Sequence, residues 1–144
     1  MQRSIRRHAA PAVLLATLAA GALYARADVV TDWNVRAGEV MAEARLGTPP
    51  AIRAMALVQT AVHAAALQAT AQGESVDAAV AAANRAVLAR LLPAQQASIE
   101  TAYQAAVAQI AEGSAKATGI ATGEEAAAVV LAQRADDMVA AAEE

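Results

Sequence analysis

The stretch PAIRAMALVQTAVHAAALQATAQ, residues 50–72, decides how the rest of the chain is read. It opens on a proline, which suits a first helical turn because the N–H it lacks has no partner there anyway. It runs into Gly73, the residue type that most readily ends a helix in the left-handed conformation. From Ala51 to Thr70 the only charged residue is Arg53, and Gln59, His63 and Thr70 form one narrow polar stripe on an apolar cylinder. A helix that is apolar nearly all round is ordinarily covered on several sides. Helix 50–72 therefore asks for cover, and the remaining sequence sets how much of it is internal.

That internal cover is thin. Alanine holds 46 of the 144 positions, phenylalanine is absent, and Trp33, Tyr24 and Tyr103 carry the only aromatic rings. Alanine has the best helix propensity and the smallest side chain that can be buried. The composition predicts an all-α bundle of closely approaching helices and excludes sandwiches and barrels, which want branched and aromatic residues in alternation. The length is that of one domain, on a scale of roughly 100–200 residues each. Burying a leucine-sized side chain is worth roughly 1.5–3 kcal/mol and an alanine far less, so a bundle of this kind is expected to be marginally stable.

Working outward, the spacing predicts four further short helices. Thr31 reads as an N-cap with Asp32 in the first turn of a helix 32–45, which carries Trp33, Ala37, Val40, Met41 and Ala44 on one side. Gly47-Thr48-Pro49-Pro50 breaks the chain before helix 50–72. Ser75 caps a third helix with Val76, Val80, Ala83, Val87 and Leu91 at helical spacing, ended by Leu92-Pro93. A fourth, 94–111, places Ile99, Tyr103, Ala106 and Ile110 on one stripe. Glu112-Gly113-Ser114 turns into a fifth, 115–141, with Ile120, Ala127 and Leu131. Short connections predict antiparallel neighbours.

Residues 1–27 read as an export signal: Arg3, Arg6 and Arg7 at the head, an apolar run from Ala9 to Leu23, and Ala25-Arg26-Ala27 as a small-x-small cleavage site. The expected product is a helical domain 28–144, exported to the periplasm or secreted, and not held in the membrane after cleavage. It carries seven Lys or Arg against fourteen Asp or Glu, so it has no basic face for nucleic acid. Cysteine is absent, which excludes disulfides, thiolate zinc sites and a cysteine nucleophile.

Several segments together resemble a known family. These are Asp28-Val29-Val30-Thr31-Asp32-Trp33-Asn34, the run from Arg53 to His63, and Ser75-Val76-Asp77-Ala78-Ala79-Val80. With them go Leu91-Leu92-Pro93-Ala94-Gln95, Gly119-Ile120-Ala121-Thr122-Gly123-Glu124 and Arg134-Ala135-Asp136-Asp137. Each alone is alanine-diluted helical sequence. In this order and spacing they resemble the amino-terminal helical part of bacterial vanadium-dependent haloperoxidase-like proteins, of the type-2 phosphatidic acid phosphatase superfamily. The chain departs from that pattern at Ala64, where relatives often carry an acid, and after Asp137, where they often continue through glycine into a proline-rich connection. The resemblance implies a catalytic half with a lysine, an arginine followed by proline, a Ser-Gly-His element and a final Arg-to-His motif, binding vanadate. None of these motifs matches a position here, so no catalytic, cofactor-binding or metal-ligating residue is carried over.

The residues themselves agree. Chemistry of that kind needs two histidines and a cluster of cations, whereas residues 28–144 hold His63 alone and seven dispersed basic residues. His63 is read as a packed, hydrogen-bonded side chain, Glu39 and Glu43 as an acidic face pairing with Arg36, and Glu124-Glu125 and Asp136-Asp137 as solvated charge. The Gly-x-x-x-Gly at Gly119–Gly123 is a weak sign of close helix approach. The expected function is that of an exported, truncated haloperoxidase relative, inactive alone, whose partner is a separately encoded catalytic half or a second copy at helix 50–72. The alternative is a small periplasmic helical-bundle binding or scaffold protein that uses an apolar helix face.

Overall fold

The computed structural model describes residues 28–135; the expected export segment and the tail with Asp136 and Asp137 lie outside the described residues. Within them the chain is all α. Its helices are α1 (Val29–Glu43), α2 (Thr48–Gln72), α3 (Val76–Leu91), α4 (Gln96–Val107) and α5 (Ser114–Gln133), with a 3-10 turn at Pro93–Gln95 ahead of α4.

Local chemistry sets the ends. Asp28, rather than Thr31, caps α1 by accepting the Val30 N–H at 3.2 Å. The earlier start brings Val29 and Val30 into the helix, where they pack against the core. α2 has prolines in its first turn and ends at Gly73 with φ 68°. The Glu74 N–H then reaches back to the Ala69 carbonyl at 2.9 Å, closing carbonyls that the helix leaves open. Ser75 caps α3, its hydroxyl accepting the Ala78 N–H at 3.2 Å. α4 is shorter than its apolar stripe suggests. The prolyl turn occupies its first residues and the helix closes at Val107, so Ile110 falls outside it.

The helix enclosed on all sides is α3, not α2. It packs against α1, α2, α4 and α5, and every residue from Ala78 to Asn84 is buried. Its alanines make this possible, since with a methyl group on each face four neighbours reach the backbone. α2 turns only Ala54, Val58, Ala61, Val62, Ala65 and Ala69 inward. Larger groups fill the ends of the core, with Leu88 and Ile99 the bulkiest of the fully buried side chains and Trp33 and Tyr103 nearly enclosed.

α3 and α5 run parallel. The Ser75 N–H donates to the Ala115 carbonyl at 3.0 Å, Gly119 faces Ser75 and Ala78, Gly123 faces Ala79 and Ala82, and Arg85 reaches Glu124. Residue numbers therefore rise together along the seam. α4 carries the chain back between the two, so no short turn joins them. The two glycines let the backbones nearly touch. A Cβ on Gly119 would stand 2.5 Å from the Ser75 carbonyl oxygen, and one on Gly123 would lie 2.8 Å from the Ala82 Cβ and closer still to the Ala79 carbonyl oxygen. Carbonyls this close to glycine Cα atoms make weak C–H···O contacts, worth about 0.5–1 kcal/mol each. Thr122, beside this seam, donates to Glu74 at 2.6 Å.

Candidate functional site

Polar groups gather at two places between helices. Arg85 on α3 donates to Glu124 on α5 at 2.5 Å and to Glu100 on α4 at 3.5 Å, and its guanidinium lies 4.6 Å above the Tyr103 ring. Glu124, read from sequence as solvated charge, is thus half of an ion pair. The cluster ties α4 and α5 to α3, where the two helices following it make little direct contact. Burial raises the Tyr103 phenol above its ordinary value of 10.0; Arg85 opposes the rise, while Glu124 and Glu100 add to it. The neutral phenol is the form that fits the fold. Its contribution is fully present below pH 10 and lost as pH rises through the higher folded value. Tyr103→Phe keeps the ring under Arg85 and removes the titration. Melting curves of the two proteins are expected to differ by a constant amount in neutral buffer. Above about pH 10 the native protein should lose stability faster than the variant; parallel curves through that range would refute the assignment.

The second cluster joins α1 to α4. Arg36 bonds Glu39 at 3.0 Å and the Ser98 hydroxyl at 2.5 Å, and Ser98 donates to Glu43 at 3.2 Å. The expected pairing of Arg36 with this acidic face is present for Glu39, while Glu43 is reached through Ser98. Ser98 thus bridges a guanidinium on one side and a carboxylate on the other. Ser75 is spent as a helix cap. Buried Asn84 donates to the Val80 carbonyl at 2.9 Å, and its Oδ1 has no hydrogen-bond partner in the structure.

A vanadate or phosphoryl oxyanion needs uncompensated cations converging on a histidine. Here Arg36, Arg85 and Lys116 each pair with a carboxylate, Lys116 with Glu112 at 2.6 Å. His63 stands on α2, a helix whose only charged residue is Arg53. Among the described residues no three His, Cys, Asp or Glu side chains stand where they could hold a metal ion. His63 is exposed, which corrects its reading as a packed core histidine.

What remains is the outer face of α2. At 100° per residue, Ile52, Arg53, Ala56, Thr60, His63, Ala64, Leu67, Thr70 and Ala71 fall within an arc of about 120°, and all of them are exposed. Ile52 is 64% and Leu67 60% exposed, among the most open large apolar side chains described. The hydroxyls on this side are already satisfied: Thr60 donates to the Ala56 carbonyl at 2.8 Å and Thr70 to the Ala66 carbonyl at 2.7 Å. Covering the face would therefore strand neither of these donors. It also carries no charge from Ala54 to Gln72. Among the described residues no helix is long and apolar enough to cross a membrane. No family model matches the chain, and neither do curated proteins or solved structures.

Proposed function

We propose that the chain is an exported helical docking module, without oxidative or hydrolytic chemistry of its own, that receives a protein partner on the outer face of α2. The observation that carries this reading is the exposed face from Ile52 to Ala71, whose one charge is Arg53 near its start and whose threonine hydroxyls are bonded to carbonyls of the same helix. Large apolar groups cost free energy in contact with water, at about 25 cal/mol per Å² of exposed apolar area. Ile52 and Leu67 stand toward the two ends of the face with alanines, Thr60 and His63 between them, and exposed apolar area on one helix face marks an interaction site.

A second reading places the chain as the helical layer of a haloperoxidase-like protein. The same face then packs against a separately encoded catalytic half that supplies the vanadate-binding residues. It is favoured by the position of the Arg53–His63 segment, which forms much of the uncovered helix. Both readings make the α2 face an interface. A photoactivatable residue in place of Leu67, irradiated in cells expressing the chain, is expected to yield one discrete adduct. The same residue in place of Arg90, exposed at the end of α3, should yield none. No adduct at either position, or equal labelling at both, would sink the docking reading.

A further inference from the structure

We propose that the occupant of the α2 face is a second copy of the same chain, its α2 laid antiparallel across the first. The inference rests on the docking reading above and names its partner.

The face is complementary to itself reversed. An antiparallel pairing centred at the level of Ala61 and Val62 sets Leu67 of each copy over Ala56 of the other. Ile52 then falls at the level of Ala71, and Thr60 at the level of His63. The two large apolar side chains, Leu67 and Ile52, thus each meet an alanine, which is the alternation that close helix packing requires. A closed twofold contact repeats each of these pairs, as an isologous interface must. The charges fit the same orientation. α2 has no basic residue in its last turn, and its one charged residue, Arg53, lies near the start. Antiparallel pairing brings Arg53 of one copy to the level of Thr70 in the last turn of the other, where a cation meets the negative end of the helix dipole. A parallel pair would instead set Arg53 against Arg53. A chain that is acidic overall repels its own copy across most of its surface, and the α2 face, which carries no acidic residue, is where that repulsion is weakest.

Area sets the strength. A 25-residue helix is about 37 Å long, and a strip about 10 Å wide buries on the order of 700 Å² over both copies. Stable complexes begin near 1,200 Å², so the dimer is a reversible one that forms at high concentration.

Sedimentation velocity of the full chain is expected to show a monomer at about 5 micromolar and growing dimer toward about 500 micromolar. Ala56→Lys and Leu67→Glu lie on the exposed face, so each variant should keep the helical circular dichroism of the native chain and stay monomeric throughout. Mixed in equal amounts they should associate, because the introduced lysine of one faces the introduced glutamate of the other. A native chain that stays monomeric over the whole range overturns the proposal, and so does a mixture that does not associate. The crosslink at position 67 separates this failure from that of the docking reading. An adduct of twice the chain mass supports the second copy, an adduct of another mass overturns it while the docking face stands, and no adduct overturns both.

Discussion

Gly123→Ala is expected to destabilise the fold by about 2–3 kcal/mol, while Gly38→Ala stabilises it by about 0.5–1 kcal/mol. Both glycines sit inside helices, and in both the new methyl improves helix propensity by up to about 1 kcal/mol. They differ in what the methyl meets. Around Gly38 no atom lies within 4 Å of the added Cβ, so propensity alone acts. At Gly123 the Cβ lands on the Ala79 carbonyl oxygen and 2.8 Å from the Ala82 Cβ. Neither atom can rotate away, because one is backbone and the other is fixed to it. α3 and α5 have to separate, and every contact along their parallel seam loosens with them. Overpacking ordinarily costs about 1–3 kcal/mol and occasionally more; with neither clashing atom able to move, the cost here is about 3–4 kcal/mol, which leaves the stated loss after the propensity gain. In a domain of this size the melting temperature should fall by about 10–15 °C for Gly123→Ala and rise by a few degrees for Gly38→Ala. Two variants moving in the same direction would show that the seam is not the close contact described.

The outcome at these two positions also marks where sequence reading stops. Helix ends were legible wherever a short-range bond makes them. Ser75 caps α3 and Gly73 closes α2, each through atoms within five residues. The start of α1 was missed because Asp28 and Thr31 are both competent caps, and the choice rests on whether Val29 and Val30 find core to pack against. The Gly119–Gly123 pair looked weak because glycines four apart mean nothing until a second helix presents small residues in register. Ser75, Ala78, Ala79 and Ala82 do so from forty residues away. Alanine richness likewise said that helices would lie close and not which helix lies in the middle. By composition α2 was the candidate, being the less charged. α3 took the place because methyl groups on every face admit neighbours on every side, while α2 carries Ile52 and Leu67 where they find no internal cover.

The polar clusters show the same limit. Arg85, Glu100 and Glu124 stand on three helices and have no common motif, so their convergence was invisible until α3 and α5 were known to be parallel. A lone histidine in apolar helical sequence reads as a packed, hydrogen-bonded side chain, and His63 is exposed. It lies instead 100° or more around the helix from Ala61, Val62 and Ala65, outside the arc that α2 turns toward its neighbours. The need of helix 50–72 for cover was legible from the start, and the fold leaves that need on one side unmet.

Leu88→Ala is expected to cost about 3–5 kcal/mol, in the upper part of the range for deleting a buried leucine side chain. Part of that is the lost transfer of apolar groups from water, roughly 1.5–3 kcal/mol for a whole leucine. The remainder depends on whether the surroundings collapse into the space. In this core they cannot collapse far. Leu88 is fully buried on the central helix, and its fellow core residues are mostly alanine and valine. Alanine has no rotamer to change, and valine has one that is stiff. Closing the hole therefore means moving whole helices, and α3 is held by neighbours on four sides. A cavity that stays open loses dispersion contacts along its entire wall. Against a typical domain stability of about 5–15 kcal/mol, this one substitution removes about a fifth or more. Urea unfolding should show a lower midpoint at unchanged slope, the signature of lost stability without a change in the area exposed. Leu67→Ala makes the control: it removes the same atoms from a side chain 60% exposed, and its effect on the monomer should stay within about 0.5 kcal/mol. Equal losses at the two positions would mean that α3 is not the enclosed helix, and that the space between α2 and its neighbours, rather than the centre of the bundle, limits stability.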